Sequence, residues 1–173
     1  RLAVGDLNSD GRPDVAMVDT EVDNPEFYVY HKTESGFSSA VTATALYASD
    51  IGISDVDMDG KNDVLVLGHN GTVAFMKQLY GGTLAAPVFQ APDESCVGKS
   101  MAICDANRDK TSDIVIAVDT ESGTKIMVYL GGDDFPEDPV TYDGVSESGA
   151  ITCGDINLDS RPDVLLTHPG SDS

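Results

Sequence analysis

Four stretches of the chain carry oxygen-bearing side chains at a spacing suited to a hard cation. They are Asp6-Leu-Asn8-Ser-Asp10-Gly11-Arg12-Pro-Asp14, Asp55-Val-Asp57-Met-Asp59-Gly60-Lys61-Asn-Asp63, Asp105-Ala-Asn107-Arg-Asp109-Lys110-Thr111-Ser-Asp113 and Asp155-Ile-Asn157-Leu-Asp159-Ser160-Arg161-Pro-Asp163. In each, Asp or Asn fills positions 1, 3, 5 and 9, and the backbone carbonyl at position 7 (Arg12, Lys61, Thr111 or Arg161) adds another oxygen. A single loop of this kind reads equally well as a turn in which Asp and Asn cap their own backbone. Four in register do not, because carboxylates packed this closely repel one another unless a cation lies among them. Calcium accepts about six to eight oxygens in irregular geometry, whereas magnesium demands a tight octahedron and keeps its waters. The expected cofactor is therefore Ca²⁺, up to four ions, with the metal acting as a folding component.

The loops open like an EF-hand loop but close with Asp at position 9 and are flanked by strand-like sequence, which excludes an EF-hand. The sharp turn at position 6 favours Gly, present as Gly11 and Gly60 and replaced by Lys110 and Ser160. Four Asp ligands and a Gly rank the second loop as the best-formed site, with the third and fourth weaker.

The loops begin 49, 50 and 50 residues apart. Two and four places before each first Asp the residue is apolar (Leu2 and Val4, Ile51 and Ile53, Met101 and Ile103, Ile151 and Cys153), a period of two that predicts a strand. After each loop come Val15 to Val18, Val64 to Leu67, Ile114 to Val118 and Val164 to Leu166. The first three units continue with Phe27 to Tyr30, Val73 to Met76 and Ile126 to Leu130, then weaker runs around Val41, Val88 and Val140. His69-Asn70-Gly71-Thr72 supplies the positive φ angles of a tight hairpin between two of these strands. Short antiparallel strands, four to a unit of about 50 residues, predict an all-β chain of β-propeller blades. The units are about 1–49, 50–98, 99–148 and 149–173, so a single propeller segment of three full blades and the first half of a fourth is expected. Propellers close with about four to eight blades, so the ring is incomplete or the segment belongs to a larger one.

The full sequence of 173 residues has 30 acidic and 10 basic side chains, a net charge of −20. Such a field repels phosphate backbones and anionic lipid, which argues against nucleic-acid and membrane-surface partners. No apolar run approaches the roughly 18 residues of a spanning helix. The chain opens at Arg1 with no leader, and no compartment is read from that end. Three cysteines without a C-x-x-C pair argue against a disulfide scaffold and a zinc site. Cys153 reads as an apolar stand-in for Val or Ile, while Cys96 and Cys104 are close enough in sequence to be candidates for pairing. His31, His69 and His168 are isolated and read as surface or turn residues, and no nucleophile or acid–base pair stands apart from the loops, so no enzyme is expected. Asn70-Gly71-Thr72 is also an N-glycosylation acceptor, a reading that stands beside the plain hairpin turn.

These residues resemble the calcium-binding FG-GAP and VCBS-type repeats of integrin α-subunit propellers and many secreted or surface proteins. The segments Gly5 to Val15 and Gly82-Thr83-Leu84-Ala85-Ala86-Pro87-Val88 carry the resemblance most closely. It implies propellers of about seven blades, calcium in the hairpin between a blade's first two strands, and a place in extracellular adhesion or recognition. The function expected is thus a non-catalytic, calcium-stabilised module outside the cell or on its surface, where millimolar calcium fills even weak sites. Its partner would be a protein or neighbouring subunits. Alternatives are a carbohydrate-binding propeller, though the 11 aromatics include no Trp, a structural subunit completed by strands from neighbouring chains, and an accessory domain of a secreted hydrolase.

Overall fold

The computed structural model describes residues 1–19, 26–38, 41–44, 47–92, 94–133, 138–144 and 147–169. The first unit holds β1 (Leu2–Gly5), β2 (Asp14–Val18), β3 (Glu26–Tyr30), a small hairpin of β4 (Lys32–Thr33) and β5 (Gly36–Phe37), and β6 (Val41–Thr44). The second holds β7 (Ala48–Ser54), β8 (Asp63–Gly68), β9 (Val73–Met76) and β10 (Val88–Gln90). The third holds β11 (Cys96–Cys104), β12 (Asp113–Thr120), β13 (Gly123–Tyr129) and β14 (Val140–Asp143), and β15 (Ile151–Gly154) with β16 (Asp163–Leu166) follow. Among the described residues the pairings are antiparallel, in the orders β1-β2-β3-β6, β7-β8-β9-β10, β11-β12-β13-β14 and β15-β16, with β4-β5 a separate pair. The all-β expectation of three four-stranded sheets and half of another is met, and the sheets form an open arc, not a closed ring.

Alternation along the second strand of each sheet explains how the sheets stack. Val64 and Val66 of β8 pack with Val18, Phe27 and Val29 of the first sheet, while Leu65 and Leu67 pack with Ile114, Ile116 and Val118 of the third. One step on, Val115 and Ala117 of β12 pack with Ile151. A strand sandwiched between two sheets is apolar on both faces, which is why β8 is buried throughout and β12 along Asp113–Val118. By contrast β2 alternates, leaving Met17 exposed. The first strands lie side by side across the stack: a Cβ added at Gly52 of β7 would sit 2.5 Å from Cδ1 of Ile103 on β11. Only glycine permits that approach.

The expected hairpin at Asn70-Gly71 is present. Gly71 has φ 78°, its amide donates to the Gly68 carbonyl, and the Thr72 amide donates to Asn70 Oδ1. Asn70 is exposed, whereas Thr72 is buried.

The candidate pairing of Cys96 with Cys104 is not the one formed. Both residues lie on the single extended strand β11, whose rise of about 3.3 Å per residue holds them far apart. Cys104 instead bonds Cys153, with 6.3 Å between their Cα atoms, and Cys96 is free. Cys153 is thus a cross-link between the third sheet and β15, not a mere apolar stand-in. The bond closes a sequence separation of 49 residues, and constraining the unfolded chain over that length is worth about 2–4 kcal/mol. Replacing both cysteines by Ala is expected to cost that much in denaturant unfolding, and a loss under about 1 kcal/mol would show that the bond adds nothing to the packing of β11 on β15.

Candidate metal centres

Each acidic loop joins the first two strands of its sheet and is wound by its own side chains. The carboxylate at position 1 accepts from the amide at position 6: Asp6 from Gly11, Asp55 from Gly60, Asp105 from Lys110 and Asp155 from Ser160, all at 2.8–2.9 Å. Position 3 accepts from the amide at position 5, through Asn8, Asp57, Asn107 and Asn157. Position 5 accepts from the amide at position 7, through Asp10, Asp59, Asp109 and Asp159. These bonds place the carbonyl-bearing residues Arg12, Lys61, Thr111 and Arg161 in equivalent turns. The backbone takes positive φ at position 6, including Lys110 (75°) and Ser160 (65°), as the turn chemistry predicts. It does so at position 4 as well, in Ser9, Met58, Arg108 and Leu158, which nothing in those residue types announces.

Position 9 has a task that spacing alone did not reveal. Asp14 Oδ2 accepts from the Leu7 amide and Oδ1 from the Lys32 amide; Asp63 bridges Val56 and Gln78; Asp113 bridges Ala106, Asn107 and Gly131; Asp163 accepts from Ile156. In the first three sheets this side chain ties the loop to the end of the third strand, and Asp14, Asp63 and Asp113 are fully buried there. His31, expected as an isolated surface or turn residue, is half-buried with Nδ1 3.0 Å from Asp14 Oδ2. His69 lies against Tyr47, and His168 Nδ1 meets the Glu147 carbonyl.

Among the described residues one acidic triplet converges, with ligand atoms of Asp55, Asp57 and Asp63 all within 4.8 Å of one another. Its fourth expected member, Asp59, turns instead to Lys61 Nζ at 2.8 Å and Lys77 Nζ at 3.1 Å. Lys77 also pairs with Asp57 Oδ2, so an ammonium rests on the mouth of the cluster. Two loop oxygens are buried without any hydrogen-bond partner, Asp55 Oδ1 and Asp105 Oδ1. A buried carboxylate oxygen left bare is costly, and a divalent cation would satisfy it. The donor set is all oxygen, which suits calcium or magnesium and not a soft metal.

The electrostatics follow the contacts. Burial pushes the Asp6 carboxyl up, but the amides of Gly11, Asn8, Asp10 and Ser9 together bring it below its usual range. The Lys61 hydrogen bond, with help from Lys77, lowers Asp59, and the Asn107 side chain followed by the Thr111 amide lowers Asp109. Hydrogen bonds to Asp57 and Asp59 raise Lys77. Asp63 goes the other way. Burial raises it from 3.8 to about 6 against the pull of the Gln78 amide, and the charges of Asp57 and Asp59 add to the rise. Because its folded value lies above its unfolded one, its stabilising contribution is complete below about pH 4 and is lost as pH rises through about 6. In metal-free buffer the Asp63 carboxyl carbon is expected to titrate near pH 6, and a midpoint near 4 would show that burial does not govern it.

Residues 6–66 match the family model of the FG-GAP-like repeat. That span runs from the first acidic loop to β8, one full period and the next loop, and the same loop pattern returns at Asp105 and Asp155. Comparison with curated proteins gives no match.

Proposed function

We propose that this chain, which carries FG-GAP-like repeats, is a non-catalytic, calcium-stabilised propeller module that serves adhesion or protein recognition outside the cell. The observation that carries the calcium reading is the convergent triplet Asp55, Asp57 and Asp63, with the buried Asp55 Oδ1 bare. Asp6, Asn8, Asp10 and Asp14, then Asp105, Asn107, Asp109 and Asp113, then Asp155, Asn157, Asp159 and Asp163, are the corresponding ligands of the other loops. The bound ion would supply positive charge that cancels the mutual repulsion of these side chains. The Cys104–Cys153 bond supports an extracellular site of action, since such bonds persist in oxidising compartments. Extracellular calcium is also abundant enough to fill weak sites.

A neighbouring subunit as the partner has its own support. Leu2 and Val4 of β1 and Val164 and Leu165 of β16 are exposed apolar residues on the strands at the two ends of the arc, and such strands accept pairing from another chain. Calorimetric titration tests the calcium reading. Calcium is expected to bind with affinity at least tenfold above that of magnesium, and binding should weaken in Asp55→Asn. Equal affinities for the two ions, or binding of neither, would remove it.

A further inference from the structure

Repeat register exposes a difference among the loops that ligand counting misses. The amide bound by Oδ1 of the position 9 Asp belongs to Lys32, Gln78 and Gly131 in the first three units. The residue just before it is therefore His31, Lys77 and Leu130. Of these, Lys77 alone brings a permanent positive charge to its loop. Its Nζ pairs with Asp57 Oδ2 and lies 3.1 Å from Asp59 Oδ2, and the Asp57 side chain is only 4% exposed, so the ammonium sits against an oxygen that water hardly reaches. Leu130, in the same place in the third unit, is apolar and 38% exposed.

Resting on the calcium reading above, we propose that Lys77 is a tethered counter-ion that competes with the metal for the second loop. Binding there requires the ammonium to swing off Asp57 and Asp59. The side chain is 39% exposed, and its flexible four-carbon stem gives it a way out into solvent. The second loop carries four Asp, but Lys61 and Lys77 neutralise two of those charges, which leaves it a weaker net field than its ligand set suggests. This removes the lead that composition gives the second loop: with four Asp and two paired lysines it keeps no more net charge than the first, where Arg12 pairs with Asp10, and it holds its ion less tightly than its ligands allow. With the ammonium in place, a divalent ion meets repulsion at contact distance, worth about tenfold or more in affinity even at the dielectric constant of water.

The test is a calcium titration of the full chain, by calorimetry and by terbium luminescence, in wild type, Lys77→Met, Asp55→Asn and the double variant. Lys77→Met keeps the apolar stem and is expected to tighten one site about tenfold, a gain that disappears when Asp55→Asn is added. Leu130→Lys, which installs the same ammonium beside the third loop, is expected to weaken one site by a similar factor. If Asp55→Asn removes a site while Lys77→Met leaves affinities unchanged or lowers them, the counter-ion role is overturned and the calcium reading stands. If no variant binds calcium, both fall. Should Lys77→Met fail to fold, an unchanged affinity in Leu130→Lys is enough to overturn the proposal.

Discussion

Stripped of divalent ions, the chain is expected to melt about 10 °C or more below its calcium-loaded form, with magnesium at equal concentration recovering only a small part of the difference. A ligand that binds the native state alone adds RT ln(1 + [L]/Kd), about 2.7 kcal/mol per site at a hundredfold excess over Kd. Two filled loops already exceed about 5 kcal/mol, and a domain of this size gains about 2–4 °C per kcal/mol. The loops keep their hydrogen-bonded shape through their own amides, so the loss is not a loss of turn geometry. It arises because 13 Asp side chains stand in four short loops of a chain with a net charge of −20, where each carboxylate raises the cost of ionising the next. Scanning calorimetry in calcium, in magnesium and in chelator reads the effect directly. Coincident melting curves in calcium and chelator would reduce the loops to ordinary turns.

The strands were legible because two signals coincide on them. Apolar residues alternate before each loop, and unbroken apolar runs follow it, as expected where a second strand is covered on both faces like β8 and β12. The loop windings were legible because Asp and Asn at alternate positions have amides two residues on to bind. What escaped was whatever depends on how separate strands meet, within a unit or from one unit to the next. Cys104 stands one place before its loop and Cys153 two places before the following one, so alternation puts them on opposite faces of their own sheets. Adjacent first strands bring those faces together, as Gly5 and Ile53 already show one step earlier in the stack. Linear distance along the chain favoured Cys96, and only the neighbour relation of β11 and β15 corrects it. Lys77 escaped for a similar reason. It lies outside the nine-residue loop, and its meeting with Asp57 depends on where β9 ends. The bracing role of position 9 was hidden behind its suitability as a ligand, since one carboxylate serves either purpose and only burial with named amide partners separates them.

That separation has a large measurable consequence. Asp113→Ala is expected to destabilise the protein by about 3–6 kcal/mol even in chelator, where no metal can contribute. Asp113 is fully buried, with Oδ2 accepting from Ala106 and Asn107 at 2.7 and 3.2 Å and Oδ1 from Gly131 at 2.9 Å. Alanine removes both acceptor oxygens and with them all three hydrogen bonds, and a part-buried backbone amide left without its partner, as at Ala106 and Gly131, costs about 1–3 kcal/mol, while the exposed Asn107 adds less. The total is a large share of the roughly 5–15 kcal/mol that holds a domain together, so the third sheet, which packs against both its neighbours, is the first to loosen. Asp109→Ala is the matched control. Asp109 is exposed, its carboxylate accepts from the Thr111 amide and the Asn107 side chain, and water can replace it at both, so it is expected to cost under about 1 kcal/mol in chelator while still weakening calcium binding. Urea unfolding of the two variants, each with and without calcium, separates brace from ligand. If both lose the same small amount in chelator and differ only when calcium is added, position 9 acts on the metal alone and the brace does not contribute to the fold.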